Sequence, residues 1–458
     1  MIDNKLLQKY NNPVPRYTSY PPANFFTEEF SQEDFRKALT ESNEYDPQNI
    51  SFYFHIPFCK QICYFCGCNH YGIGNDHIID DYIRALKVEI KTMISHIDKS
   101  RLISQIHYGG GTPNAVPVEY LQEINEMLFA EFGTIDQPEI AIECNPAYLT
   151  FDQMDGLKKA GFKRFSLGIQ DFDTDVLKAV NREKPGMPVK EIMDYLKDGD
   201  PEIAVNLDFI YGLPKQSAAS FTNAIEKAVE LRPDRLVTFS YAHVPWVSPI
   251  QKKLDKVGLP ESDEKMKMFE NGTRLLTENG YQAIGFDHFA LENDELAQAY
   301  QNKKLHRNFQ GYCTRRTTGQ VYAIGVTSIS QLANVYAQNT KKLSEYIERA
   351  EKGEIPTLKG YRVSKDQMII REVINELMCN EQIVWDEIGQ RFNITGKEVK
   401  NTVIYDNDKL KEFESDGLIS ISDEKLEVTD NGLILIRNVA ASLDPLLKET
   451  TKTFSKSV

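Results

Sequence analysis

At 458 residues, 41% of them hydrophobic and 26% charged, the chain exceeds what one hydrophobic core usually supports, so a large domain plus a smaller one is expected of an ordinary soluble globular protein. Its 53 Lys and Arg against 67 Asp and Glu leave a formal charge of −14, the wrong sign for a general nucleic-acid binder, and an anionic ligand would need a local basic pocket. No run of 18 apolar residues occurs, and MIDNKLLQKYNNPVPRY has neither the apolar stretch of a signal peptide nor the acid-poor character of a transit peptide; a cytoplasmic protein with no membrane partner is expected.

In chain order, residues 1–48 read as an extension or substrate lid ahead of the main domain. From about residue 50 to 290 short apolar, β-branched or aromatic runs alternate with longer segments of helical period. The predicted strands are 50–57, 104–111, 139–146, 164–171, 203–214 and 235–245, with YQAIGFDHF (281–289) as a possible seventh. Helical patterns at 76–97, 118–132 and 220–232 carry apolar residues three and four apart. Strands alternating with helices imply a parallel sheet, and six such units in series predict an α/β fold, a partial (β/α)6 TIM-like barrel over 49–290 with a barrel-completing segment at 291–360. After about residue 360 the rhythm becomes helix, helix, helix, a hairpin around Ser422-Asp423 and a last helix: a smaller, mainly helical winged-helix-like domain over 361–458. Asp406, Asp408, Glu412, Glu414 and Asp416 lead into its wing, which argues against a counterion-releasing DNA surface.

In such a barrel the ligand sits at the carboxyl ends of the strands. The loop after the first strand is FYFHIPFCKQICYFCGCNHY, with Cys59, Cys63, Cys66 and Cys68 inside ten residues; Cys144, Cys313 and Cys379 are scattered and make the count odd. This pattern fits a reducing compartment and a metal cluster better than a disulfide framework. Three chemistries compete for the crowded thiols. Structural zinc usually takes paired C-x2-C knuckles, and no second knuckle follows. A redox C-x2-C pair should open a helix and leaves Cys59 and Cys68 unexplained. An iron–sulfur cluster needs several thiolates on a wrapping loop, and three suffice if another ligand takes the fourth iron.

Cys59-x3-Cys63-x2-Cys66 with Phe65 before the last cysteine resembles the cluster motif of the radical S-adenosylmethionine (SAM) superfamily. The resemblance implies a [4Fe–4S] cluster held by Cys59, Cys63 and Cys66, with SAM on the fourth iron and a 5′-deoxyadenosyl radical formed by its reductive cleavage. GGGTP (109–113), at the end of the second strand, is similar to the family's glycine-rich segment, where bare amides approach the methionine part of SAM. PRYTSYP (15–21), SLGIQDF (166–172), VNRE (180–183), IYGLPKQ (210–216), FDHFA (286–290) and HRNFQGY (306–312) extend the likeness to the oxygen-independent coproporphyrinogen III oxidases, from about residue 6 to beyond 440.

That resemblance implies two SAM molecules in one site and decarboxylation of two propionates of a porphyrinogen to vinyl groups, in haem synthesis. By position, Tyr53, Gly110 and Glu143 would contact the cluster-bound SAM, and Phe65, Gly111, Thr112, Gln170, Arg182, Asp208, Ala242 and Ile329 the second. Cys68 would serve catalysis without binding iron, and it separates these enzymes from their haem-chaperone relatives. Arg16, Lys215, His306 and Arg307 are candidate cations for the substrate's propionates, while His243 and His288 at strand ends read as donors to substrate or as satisfied barrel residues, the second reading preferred. An external electron donor is required, and a monomer is expected. A haem chaperone and a haem-modifying enzyme on the same frame are the rival readings. ECNPAY, WVSPI and the tyrosine of YAIGVTSIS depart from the family pattern and are expected to touch the wall of the site.

Overall fold

Every residue of β1 (Ile50–Ile56) except Tyr53 is buried, as befits a strand in the middle of a wide sheet. The computed structural model describes residues 4–10, 12–74, 77–448, 450, 452 and 454. After β1 come β2 (Ile103–Gly110), β3 (Thr134–Cys144), β4 (Arg164–Gln170), β5 (Ala204–Tyr211) and β6 (Arg235–Ser240), each parallel to the one before. The helices between them, such as His77–Ile94 and Val118–Phe129, bury one apolar face against this sheet; Ile79, Tyr82, Ile83, Leu86, Ile90 and Met93 form the stripe of the first.

The region read as a possible seventh parallel strand is instead a hairpin, β7 (Tyr281–Ile284) and β8 (His288–Leu291), and β8 runs antiparallel to β6. Gly285, at φ +60°, supplies the left-handed residue that the reversal needs. On the opposite side, β9 (Gln320–Ile324) pairs parallel with β1, and β10 (Ile329–Gln331), β11 (Val335–Asn339) and β12 (Thr357–Arg362) follow antiparallel. The sheet reads β12-β11-β10-β9-β1-β2-β3-β4-β5-β6-β8-β7. Among the described residues no strand pairing joins its two edges, so the barrel is partial and the segment after residue 291 widens the sheet on the β1 side.

The C-terminal domain packs helices Lys365–Asn380, Trp385–Phe392, Gly396–Thr402, Asn407–Ser415 and Ile436–Ser442 around a three-stranded sheet whose wing strands are Ile419–Ile421 and Lys425–Val428. Its core contains Trp385, Val399, Phe413 and Leu426 together with Tyr10, Tyr17 and Tyr20 from the far end of the chain. The Tyr17 and Tyr20 hydroxyls both donate to Asp444 at 2.9 Å, and Lys9 bridges Glu412 at 2.8 Å and Asp416 at 2.6 Å. The N-terminal segment thus completes the C-terminal core, and two of the five wing-side carboxylates share its Lys9 as a partner. Among the described residues no helix is long and apolar enough to cross a membrane.

Candidate active site

The strand register places the chemistry. Tyr53 on β1 stands beside His107 on β2, Glu143 on β3 beside Ser166 on β4, and Gly168 on β4 beside Asp208 on β5. A cavity of about 370 Å³ runs down the inside of the sheet from the cysteine loop. Cys59, Cys63, Cys66, Cys68, Phe65, Gly110, Gly111, Thr112, Glu143, Gln170, Arg182 and Asp208 all line it, so twelve residues dispersed over 150 positions converge on one space.

The cysteine loop is held from several sides by the protein alone. Short strands at Phe58–Cys59 and Tyr71–Gly72 pair parallel, closing the loop. The Thr112 amide donates to Phe58 O at 2.9 Å and its hydroxyl to Cys59 Sγ at 3.4 Å. Asn181, left-handed at φ +55°, donates to Ile62 O at 2.8 Å and accepts at its carbonyl from Gln61 at 3.0 Å. Ser248 Oγ donates to Cys66 O at 2.7 Å, and Gln251 Nε2 to Phe65 O at 2.9 Å.

Burial pushes the Cys59 thiol up to about 11 and raises Cys63 also, although Arg182 opposes the latter. Cys66 is held well below the usual thiol range by hydrogen bonds from Cys68 and His70. Arg182 reaches Cys63 Sγ at 3.8 Å and Gly168 O at 2.6 Å, while its Nε is buried with no partner. An uncommitted guanidinium N–H on a side chain that reaches the Cys63 thiol suits an anionic ligand.

The glycines are sterically required. A Cβ on Gly111 would stand 2.6 Å from Pro57 C, and one on Gly110, at φ +109°, would stand 2.5 Å from the His55 ring. The backbone there is a cradle that side chains would fill.

Two histidines that sequence reasoning passed over organise the wall. His55 Nε2 faces Asn69 O at 3.0 Å; a carbonyl only accepts, so Nε2 carries the proton and Nδ1 accepts from the Tyr53 hydroxyl at 3.2 Å. His107 stacks on Tyr53 with ring centroids 5.9 Å apart and donates from Nε2 to Glu143 at 3.1 Å. Burial alone would lower His107, but Glu143 outweighs it and the imidazole is raised. His107 lies two residues before Gly109, on the same face of β2, a period-two signal legible in the sequence. Burial lifts the Asp208 carboxyl to about 6 against a hydrogen bond from Ser166 at 2.6 Å. Below this level Glu139 lies among Arg164 at 3.1 Å and Arg235 at 3.6 Å, a paired floor to the cavity.

Other expected residues lie elsewhere. Tyr53 stands behind His107 and does not itself line the cavity. Ala242 and Ile329 do not line it, and Ile329 packs beside Phe26 and Tyr336. Arg16 and Lys215 are exposed and outside it. His306 is placed poorly for a cation: burial drives its imidazole down to about 3, with Arg315 adding to the effect, and it does not line the cavity. Arg307 packs 5.1 Å from the ring of Tyr312, which lines the cavity. His288 also lines it and faces Asp287 at 2.7 Å, whereas His243 faces Asp255 at 2.7 Å. Of the departures, Tyr322 is not in the wall; its hydroxyl meets Ser42 at 2.7 Å and Arg101 at 2.6 Å, tying β9 to the N-terminal extension. Asn145 of ECNP exchanges hydrogen bonds with Asn114 at 2.8 and 3.1 Å, which locks the end of β3.

Among the described residues no three His, Cys, Asp or Glu side chains are gathered closely enough to hold a single metal ion. Three thiols set around one cavity suit a polynuclear cluster, in which each binds a different iron. The donor set, the glycine cradle and the unpartnered Arg182 Nε therefore fit a cluster with an anionic partner and do not fit structural zinc.

Comparison with known proteins agrees with this chemistry. The family model described as the radical SAM superfamily matches residues 53–228, and that described as the HemN C-terminal domain matches 363–435. A Synechocystis protein named oxygen-independent coproporphyrinogen III oxidase is 40% identical, covering 99% of this chain and 97% of its own; one of the same name from Escherichia coli K12 is 36% identical over 98% and 96%. The solved structure of coproporphyrinogen III oxidase (HemN) from Escherichia coli, described as a radical SAM enzyme, superposes with a TM-score of 0.87 at 35% identity, covering 97% of this chain and 99% of that one.

Proposed function

Since this chain belongs to the oxygen-independent coproporphyrinogen III oxidases of the radical SAM superfamily, we propose that it converts two propionate side chains of coproporphyrinogen III to vinyl groups, giving protoporphyrinogen IX in haem synthesis. Superfamily membership implies a [4Fe–4S] cluster and SAM, which together supply hydrogen-atom abstraction from an unactivated carbon. The observation that carries the reading is the meeting of three thiols, the glycine cradle and Arg182 on one cavity at the carboxyl ends of parallel strands.

In this reading Cys59, Cys63 and Cys66 hold the cluster. Gly110 lets the backbone approach the amino-acid end of SAM, and Glu143, steadied by His107, accepts from its ribose hydroxyls. Tyr53 backs that arrangement through its stack on His107. A second SAM would lie against Phe65, Gly111, Thr112, Gln170, Arg182 and Asp208, with Arg182 Nε pairing its carboxylate. Ala242 and Ile329 stand outside the cavity and are not counted in that site. Cys68 lines the cavity and serves turnover without binding iron. Of the candidate cations, Arg307 beside Tyr312 is the best placed for a propionate. The test is stoichiometry: anaerobically reconstituted protein should release two CO2 and two 5′-deoxyadenosine per protoporphyrinogen and bind two SAM per chain in equilibrium dialysis, whereas one SAM bound per chain would remove the second SAM from the account.

A further inference from the structure

The residues that clasp the cysteine loop from outside carry a surface that the site does not use. Leu254 packs with Tyr64 and Phe65, the two residues before Cys66. Ser248 and Gln251 donate to the carbonyls of Cys66 and Phe65, and Lys253 Nζ sits 4.3 Å over the Tyr64 ring. The flap is braced by His243–Asp255 at 2.7 Å and by the Val244 amide on Gln251 Oε1 at 2.7 Å. Its outward side is apolar and basic. Trp246 is 78% exposed and Val247 66%, the two most exposed large hydrophobic side chains described, and Lys252, Lys253 and Lys256, shortly after them in the chain, are exposed too. Between residues 246 and 257 the sequence has three lysines and one carboxylate, Asp255, which His243 engages, on a chain whose net charge is −14.

An exposed tryptophan and three exposed lysines within eleven residues, with one engaged carboxylate among them, have the composition of a docking patch rather than of idle surface. Its charge excludes neither partner nor substrate, but its position does choose: neither Trp246 nor any of the three lysines lines the cavity, while the flap's polar groups touch the backbone of the cysteine loop directly. We propose that Trp246, Val247, Lys252, Lys253 and Lys256 form the landing surface for a small acidic electron-carrier protein, which gives up one electron there and is itself oxidised by one, while the cluster held by Cys59, Cys63 and Cys66 gains it. This rests on the radical SAM reading above. Complementary charge steers the encounter and Trp246 anchors it, so the contact is fast, weak and sensitive to salt.

Reduced flavodoxin serves as the probe against the holoprotein. Calorimetric titration should show binding that weakens as salt is raised. Joint replacement Lys252→Glu, Lys253→Glu, Lys256→Glu should weaken it by about tenfold or more, Trp246→Ala by about fivefold, and the milder triple Lys→Gln change by an intermediate factor. In parallel, flavodoxin-driven SAM cleavage should need more carrier for half-maximal rate, and dithionite-driven cleavage should proceed at the wild-type rate in every variant. Unchanged flavodoxin affinity in the charge-reversed protein would overturn the proposal while leaving the functional reading intact. So would a raised KM for coproporphyrinogen under dithionite, which would give the patch to substrate, or a shift from dimer to monomer, which would give it to a second copy. Wild-type holoprotein that fails to cleave SAM with dithionite would overturn the functional reading and this proposal with it.

Discussion

Gly111→Ala probes the cradle beneath the cysteine loop. An alanine Cβ would stand 2.6 Å from Pro57 C and 2.7 Å from Pro57 O, and both are backbone atoms that cannot swing aside. Ordinary contact begins at 3.4 Å, so the strand end and the loop must separate by 3.4 − 2.6 = 0.8 Å. Overpacking of this kind costs about 1–3 kcal/mol. The displaced chain is Pro57, two residues before Cys59, and the Gly111 amide that now donates to Ile56 O at 2.8 Å moves with it. Because Thr112, Asn181, Ser248 and Gln251 hold the loop independently, the variant should keep its iron. A misplacement near 1 Å between reacting groups costs about 100-fold in rate. The expected outcome is therefore near-stoichiometric iron and sulfide, a modest loss of thermal stability, and dithionite-driven SAM cleavage reduced by about 100-fold. Gly110→Ala should be worse on both counts, because it adds an unfavourable φ of +109° to a clash with the His55 ring. Wild-type cleavage by Gly111→Ala would refute the argument that this backbone approach is under steric control.

Alanine at Cys59, Cys63 or Cys66 should abolish iron binding and SAM cleavage, whereas Cys68→Ala should retain iron, read by elemental analysis, and lose porphyrinogen turnover. Arg182→Met removes a charge-assisted partner worth about 1.5–3 kcal/mol and should weaken SAM binding by roughly 10- to 100-fold in equilibrium dialysis, with Arg182→Lys recovering part. His107→Gln should raise the KM for SAM more than it lowers kcat, since it steadies Glu143. Glu89, fully buried behind β1, is lifted to about 7 by burial despite hydrogen bonds from Tyr346, Gly325 and Asn339. Between pH 4.5 and 7 the folded chain keeps a proton that the unfolded chain has lost, so stability falls as pH rises through that window, by roughly 3 kcal/mol in total; Glu89→Gln should flatten that slope in urea titrations.

The parallel strands were legible because each is an apolar run ending in a motif, and the rule that ligands sit at the carboxyl ends of such strands carried Gly110, Glu143 and Asp208 to one rim. The hairpin at 281–289 was harder to read: seen alone, an apolar run interrupted by Gly285 gives no direction, and only its pairing with β6 settles the orientation. The docking of Tyr17 and Tyr20 onto Asp444 joins residues more than 420 positions apart, beyond any local periodicity. His306 illustrates a different limit. Its residue type suggested a cation, but protonation depends on burial and on Arg315, neither of which a motif reveals. Tyr322 looked like a departure in the wall of the site and proved to be a buried tether to Ser42 and Arg101.

The most direct test of the account is anaerobic incubation of the cluster-loaded protein with SAM, a reductant and coproporphyrinogen III, followed by mass analysis of the tetrapyrrole. The account predicts protoporphyrinogen IX, lighter by two CO2 and four hydrogens, formed only when all three cluster cysteines are present. SAM cleavage with unaltered coproporphyrinogen, together with tight stoichiometric binding or modification of haem, would contradict it.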